Sequence, residues 1–163
     1  VAAIAARWPE HADLMAGYFD RFAETIRARI EGTWEIAEAL RARGLRLWAL
    51  TNFAADTFAE ASRRFDFLTE TRGVTVSGLI GLIKPDREIY DHHANTFGLD
   101  PAASLFIDDS AKNVEGAEAA SNWRGEGSVT GQLSLSLRGA SQRFGRPVVS
   151  VSNIKNIFFE VFD

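Results

Sequence analysis

Two short apolar runs, LRLWALTN (Leu45–Asn52) and LFID (Leu105–Asp108), each stop on polar residues, and helical patterns lie between and beside them. Both runs have the length and apolar density of buried strands. Strands that alternate with helices imply an α/β fold with a mainly parallel sheet. Ligands of such sheets sit beyond the carboxyl ends of the strands, and Thr51, Asn52, Asp108 and Asp109 all fall at such ends.

The helices are read from apolar spacing and punctuation. Beginning at Asp13, an expected N-cap, Met15, Phe19, Phe22, Ile26 and Ile30 recur every three or four residues. A second helix is expected from Thr33, with Trp34, Ala37 and Leu40 on one side and Gly44 ending it. A helix over Asp56–Phe65 and a short strand over Val74–Val76 follow. The stretch KPDREIYDHHANTFG reads as a helix with Pro85 at its first position and Gly98 past its end, and Ser110 opens a helix after the second apolar run. The expected organisation is a partial helical cap over residues 1–30, an α/β core over 31–120, a Gly/Ser-rich linker or irregular segment over 121–152, and a C-terminal strand over 153–163. Within the linker, QLSLSL is balanced between strand and loop.

Composition removes several function classes. With a net charge of −4 and its Lys and Arg scattered, the chain lacks the basic footprint of a nucleic-acid binder. There is no cysteine, so disulfides and thiolate metal sites are excluded. No apolar run approaches the roughly 18 residues of a membrane span, and the first residues lack the pattern of a signal peptide. A soluble, cytoplasmic protein with neither nucleic-acid nor membrane partners is expected. The chain starts at Val1 inside a helical pattern, which leads us to expect a fragment or a permutant.

The adjacent carboxylates Asp108 and Asp109 repel each other, and such a pair after a buried strand calls for a compensating cation or donor network. The strand ends also supply a hydroxyl (Thr51) and an amide (Asn52), while Lys84 stands before a proline. A hydroxyl, an ammonium and paired carboxylates suit a phosphoryl group with Mg²⁺, because hard cations prefer oxygen ligands and lysine binds phosphate as a point charge.

These residues, in this order, resemble the motifs of the haloacid dehalogenase (HAD) superfamily of aspartyl-nucleophile hydrolases. LWALTN is similar to its second motif, GLIKPDREIY to its third and FIDDSAKNVEGA to its fourth. The resemblance implies a Rossmann-like, three-layer core and a hydrolase, in which an aspartate attacks phosphorus and water then hydrolyses the aspartyl-phosphate. It implies that Thr51, Asn52 and Lys84 bind substrate, Lys84 and Thr51 acting in catalysis, and that Asp108 and Asp109 hold Mg²⁺. The Asp-Asp pair favours a Mg²⁺-dependent phosphatase for a small phosphorylated metabolite, in wording closest to the sugar-phosphate branch, over a metal-independent 2-haloacid dehalogenase. A truncated or non-catalytic relative that binds Mg²⁺, phosphate or a protein partner is the alternative.

The family's first motif, which carries the nucleophile, has no counterpart ahead of the cap. The terminal NIKNIFFEVFD resembles the missing opening strand and would bring Glu160 or Asp163 to the nucleophile position by a permuted route; an ordinary late strand, or a run-on segment from a truncated reading frame, explains the same residues. Glutamate there is one methylene too long, and Asp163 lacks the following turn. His92 and His93 read as helix residues, His93 in packing with Ile89 and Phe97, and Trp8, Tyr18, Phe19 and Phe22 as packing between cap helices. Asn113 either orients Lys84 or a motif aspartate, or faces solvent.

Overall fold

The computed structural model describes residues 2–18, 20–26, 31–64, 71–121, 123–127 and 148–152. Helices α1 (Ala2–Arg7) and α2 (Ala12–Ala16) lead through a 3₁₀ turn at Phe22–Thr25 to α3 (Glu31–Ala42). Strand β1 (Leu47–Thr51), α4 (Ala55–Arg64), β2 (Val74–Val76), the one-turn α5 (Ser77–Ile80) and α6 (Arg87–Phe97) follow. Then come β3 (Ser104–Asp108), α7 (Ala111–Ser121), β4 (Arg124–Gly127) and β5 (Val148–Ser152). The strands form one five-stranded sheet in the order β2-β1-β5-β3-β4, and every pairing is parallel.

The period of two in the strands divides the core into the two faces of this sheet. Ala49 of β1 points to the face covered by α3 and α4, in a buried cluster with Phe22, Ile26, Trp34, Phe53 and Ala61. Leu47, Leu105 and Ile107 meet Leu40 of α3. The intervening residues Trp48, Leu50 and Phe106 point the other way, to Ile89, Tyr90 and Ala94 of α6 and Ala117 and Ala120 of α7. All residues of β1 and β3 are buried, as a sheet covered on both faces requires. The three-layer α/β architecture expected from the sequence is therefore present.

Several local expectations are corrected. The single helix running on from Asp13 is broken: α2 ends at Ala16, and the chain turns at Gly17, whose low helix propensity makes it a natural stop, before the 3₁₀ turn. Phe22 and Ile26 still reach the core, and the rings of Phe22 and Phe53 meet edge-to-face at 5.6 Å. Trp8, expected to pack between helices, is 42% exposed; Tyr18 is 43% exposed but still meets the Phe22 ring edge-to-face at 5.7 Å, and Phe19 lies outside the described residues. Thr33 sits inside α3 rather than capping it. Pro85 precedes α6 rather than opening it, because the Asp86 N–H closes a turn onto the Ile83 carbonyl at 2.9 Å and the helix begins only at Arg87. The glycine stops hold: Gly44 and Gly98 have φ of 80° and 60°, the left-handed conformation that ends a helix at little cost only for glycine.

The segment read as linker supplies two strands. VVSVS is β-branched and alternating, and its parallel partners on both sides, β1 and β3, make it the central strand. RGEG has almost no strand propensity of its own, yet β4 pairs at the edge through backbone hydrogen bonds, which need no particular side chain. QLSLSL and residues 153–163 lie outside the described residues. No helix among the described residues is long and apolar enough to cross a membrane.

His92 is exposed, whereas His93 is fully buried, its Nδ1 2.8 Å from Thr75 Oγ1 and its ring 5.2 Å from that of Phe97. Burial, assisted by the charges of His92 and Lys84, pushes the His93 imidazole from 6.5 down to about 3. Between these values the unfolded chain binds the extra proton, so the stabilisation is complete above pH 6.5 and is lost as pH falls toward 3. A tenfold difference in proton affinity between the two states corresponds to about 1.4 kcal/mol, so the urea midpoint is expected to fall steadily between about pH 7 and about pH 4. A His93→Gln variant should show a shallower fall over that window, and equal slopes would contradict the assignment.

Candidate active site

Three chain segments meet at the carboxyl end of the sheet. β1 delivers Thr51, buried at 1% exposure, and then Asn52. β3 delivers Asp108, also 1% exposed, and then the exposed Asp109. The loop between α5 and α6 delivers Lys84, whose peptide bond to Pro85 is cis. β1 and β3 are not neighbours, since β5 lies between them, so these groups surround the end of the central strand.

Lys84 joins the two flanking strands. Its Nζ donates to Asp108 Oδ2 at 3.0 Å and to the Leu50 carbonyl at 3.1 Å. The two charged side chains are only 2% and 0% exposed, so this is a buried ion pair. Burial pushes the Lys84 ammonium below its usual range, against the pull of Asp108 and of Asp109. Asp108 is satisfied on both oxygens: Oδ1 accepts from the Ser110 N–H and Oδ2 from Asn113 Nδ2, each at 2.8 Å. Of the two readings of Asn113, the structure supports the orienting one. Most of the offset for the carboxylate's burial is thus a donor network made by the chain itself.

A further brace was not legible beforehand. Tyr90 of α6 donates its hydroxyl to the Asn113 carbonyl at 2.7 Å, and its ring stands edge-on to Phe106 at 5.4 Å. Burial first, then the negative charges of Asp108 and Asp86, raise the Tyr90 hydroxyl far above its usual range, so it remains a donor. Its only sequence signal was an aromatic beside Ile89 on the buried face of a helix. The glycine of NVEGA serves the same contact: a Cβ on Gly116 would lie 2.6 Å from the Pro85 carbonyl oxygen, so glycine lets α7 close onto the Lys84–Pro85 corner.

The side chain of Asn52, expected to face substrate, reaches across to the backbone of Lys84. Its Oδ1 accepts the Lys84 N–H at 2.8 Å and its Nδ2 donates to the Lys84 carbonyl at 2.9 Å. Thr51, Asn52, Lys84, Asp108 and Asp109 are thus brought to one sheet end. Glu160 and Asp163 lie outside the described residues. The place between β1 and β3, expected for NIKNIFFEVFD by the permuted route, is taken instead by VVSVS, which contains no carboxylate and ends at Ser152, whose Cα pairs with Leu50.

The donor chemistry fits Mg²⁺. Adjacent carboxylates offer only oxygen, and Mg²⁺ commonly takes one or two protein carboxylates while keeping waters or substrate oxygens for the rest. Among the described residues no three His, Cys, Asp or Glu side chains gather into an all-protein cage. Asp109, exposed, and Asp108 are the residues that would hold the ion.

A family model for haloacid dehalogenase-like hydrolases matches residues 10–121. The chain is 30% identical over 80 residues to the sesquiterpene phosphatase astK of Aspergillus oryzae, covering 49% of this chain and 41% of that protein. It is 36% identical over 84 residues to the phosphatase MT3486 of Mycobacterium tuberculosis, covering 51% of this chain and 39% of that one. It spans about two fifths of the length of these curated relatives. A crystal structure of an uncharacterized protein from Corynebacterium glutamicum aligns with a TM-score of 0.44 at 17% identity, over 63% of this chain and 96% of the other.

Removing one partner of a buried pair leaves the other charge without compensation, so Lys84→Met is expected to lower unfolding stability by about 3–5 kcal/mol. The double variant Lys84→Met/Asp108→Asn removes both charges and should recover at least half of that loss. Urea unfolding of the three proteins checks this, and a harmless Lys84→Met would contradict the pairing.

Proposed function

We propose, for a chain that belongs to the haloacid dehalogenase-like hydrolases, that it is built to bind a small phosphorylated metabolite and act as a Mg²⁺-dependent phosphomonoesterase. The observation that supports this most is the buried Lys84–Asp108 pair, which holds an ammonium between the strands flanking the central slot. Thr51 and Lys84 bind the phosphoryl group, with Asn52 beside them. An ammonium about 4 Å from a phosphate oxygen contributes roughly 1–4 kcal/mol, depending on how far water is excluded. Because negative charge redistributes over the transferred group, such a preplaced donor counts most in the transition state. When bound, Mg²⁺ would neutralise part of the phosphoryl charge. The Asp108–Asp109 pair and the phosphatase names of the two relatives favour phosphate over a halogenated acid as the group acted on. A sugar phosphate fits the reading but has no residue of its own here.

Attack on phosphorus needs a carboxylate nucleophile for the aspartyl-phosphate route. The acids that follow β5 along the chain are Glu160 and Asp163, and they are the candidates for that role. A second reading is favoured by β5 itself, whose five residues include no acid: a domain that binds Mg²⁺ and phosphate without turnover.

The test is phosphate release from an aryl phosphate with Mg²⁺ and with a chelator, accompanied by calorimetric titration with inorganic phosphate. Turnover that stops with the chelator and falls about 100-fold in Asp109→Asn supports the enzyme. Loss in Glu160→Gln or in Asp163→Asn then identifies the nucleophile. Phosphate binding without turnover supports the second reading, and neither binding nor turnover by the folded chain overturns both.

A further inference from the structure

We infer that Asn52 is a positioning residue for Lys84, aiming its ammonium by clasping the lysine's own peptide groups, rather than a ligand of the phosphorylated substrate. The inference rests on the phosphate-binding reading of the site for its functional meaning, and on geometry for its structural content.

Lys84 belongs to no helix or strand: α5 ends at Ile80 and α6 begins at Arg87. Its backbone therefore lacks the ladder that holds Thr51 and Asp108 in place. Asn52 supplies a substitute. One side-chain amide meets both the N–H and the carbonyl of Lys84, at 2.8 and 2.9 Å, across 32 residues of sequence. This reproduces with a side chain the two-point contact that a neighbouring strand makes through its backbone. The next residue continues the attachment, since the Phe53 carbonyl accepts the Gly78 N–H at 2.9 Å and Ser77 Oγ at 3.2 Å. A Cβ on Gly78 would lie 2.5 Å from the Ala55 nitrogen, so the loop is docked tightly along the exit of β1.

The consequence reaches the ammonium. A lysine side chain has four rotatable bonds, and Nζ meets both Leu50 O and Asp108 Oδ2 only if its Cα is correctly placed. Because Asn52 directly follows Thr51, one peptide unit links the hydroxyl of the site to the clasp that places its cation. With Oδ1 and one N–H of Nδ2 held by the Lys84 peptide groups, only the second N–H of the amide is left for a phosphate oxygen.

The experiment combines calorimetric titration of the full chain with inorganic phosphate in Mg²⁺ and hydrogen exchange at the Lys84 amide. The proteins are the unaltered chain, Asn52→Ala, Asn52→Asp, Lys84→Ala and the Asn52→Ala/Lys84→Ala double variant. Loss of two hydrogen bonds should weaken phosphate binding by about tenfold in Asn52→Ala. The same change should have no further effect once Lys84→Ala has removed the ammonium, which is the non-additivity of residues acting through one another. Asn52→Asp keeps an acceptor for the Lys84 N–H but sets a carboxylate oxygen against the Lys84 carbonyl, so its phosphate binding should fall at least as far as in Asn52→Ala. Exchange at the Lys84 amide should accelerate in Asn52→Ala.

Additive losses in the double variant would show that Asn52 touches phosphate itself and would overturn the inference. An unchanged Lys84 amide in folded Asn52→Ala would overturn it as well. If Asn52→Ala does not fold, Asn52→Ser, whose side chain is too short to meet both Lys84 peptide groups, takes its place in both readouts. Should the unaltered chain bind no phosphate, the proposed function fails, and amide exchange alone then decides the clasp.

Discussion

The buried contact between Lys84 and Asp108 governs the architecture around it. A pair with 2% and 0% exposed side chains is tolerable only if every remaining polar valence finds a partner, because desolvation otherwise outweighs the attraction. The structure supplies the Leu50 carbonyl to Lys84, and the Ser110 N–H and the Asn113 amide to Asp108. They come from β1, from the turn after β3 and from α7, so the pair ties β1, β3, the lysine loop and the start of α7 into one unit.

That unit exists because the sheet is parallel. Parallel strands bring their carboxyl ends to the same side, so residues distant in sequence converge there without any long-range reach by their side chains. Thr51 and Asp108 arrive by strand geometry, and Lys84 arrives by the clasp of Asn52. The helices contribute mainly by packing: α6 and α7 bury Trp48, Leu50 and Phe106, and in doing so they bring Tyr90 to Asn113 and Gly116 to Pro85. Burial thus fixes the polar contacts as a by-product of filling the core.

Much of this was legible in the residues. The apolar runs around Trp48 and Phe106 are wholly buried, as their density indicated, and Gly44 and Gly98 end their helices. The Thr51, Lys84 and Asp108–Asp109 set was recognisable because those residues follow strands or precede a proline, and the family match over residues 10–121 covers them. What misled was local composition. Gly and Ser disguised Arg124–Gly127 as linker because edge pairing is a backbone property, and VVSVS was hidden by its surroundings although its own alternation is strand-like. Trp8 and Tyr18, read as packing between helices, stay 42% and 43% exposed.

The sequence by itself determined the period of the strands and helices, and therefore the layered α/β class, since side-chain burial follows directly from apolar spacing. It also determined which ionisable groups stand at strand ends. Only the tertiary structure decided that β5 fills the slot between β1 and β3, that Asn52 reaches Lys84 across 32 residues, and that Asn113 faces Asp108 rather than water. The physical reason is that strand order and side-chain pairing depend on contacts between segments far apart in the chain. Local spacing carries no record of those contacts, because their free energy appears only once the faces have closed on each other.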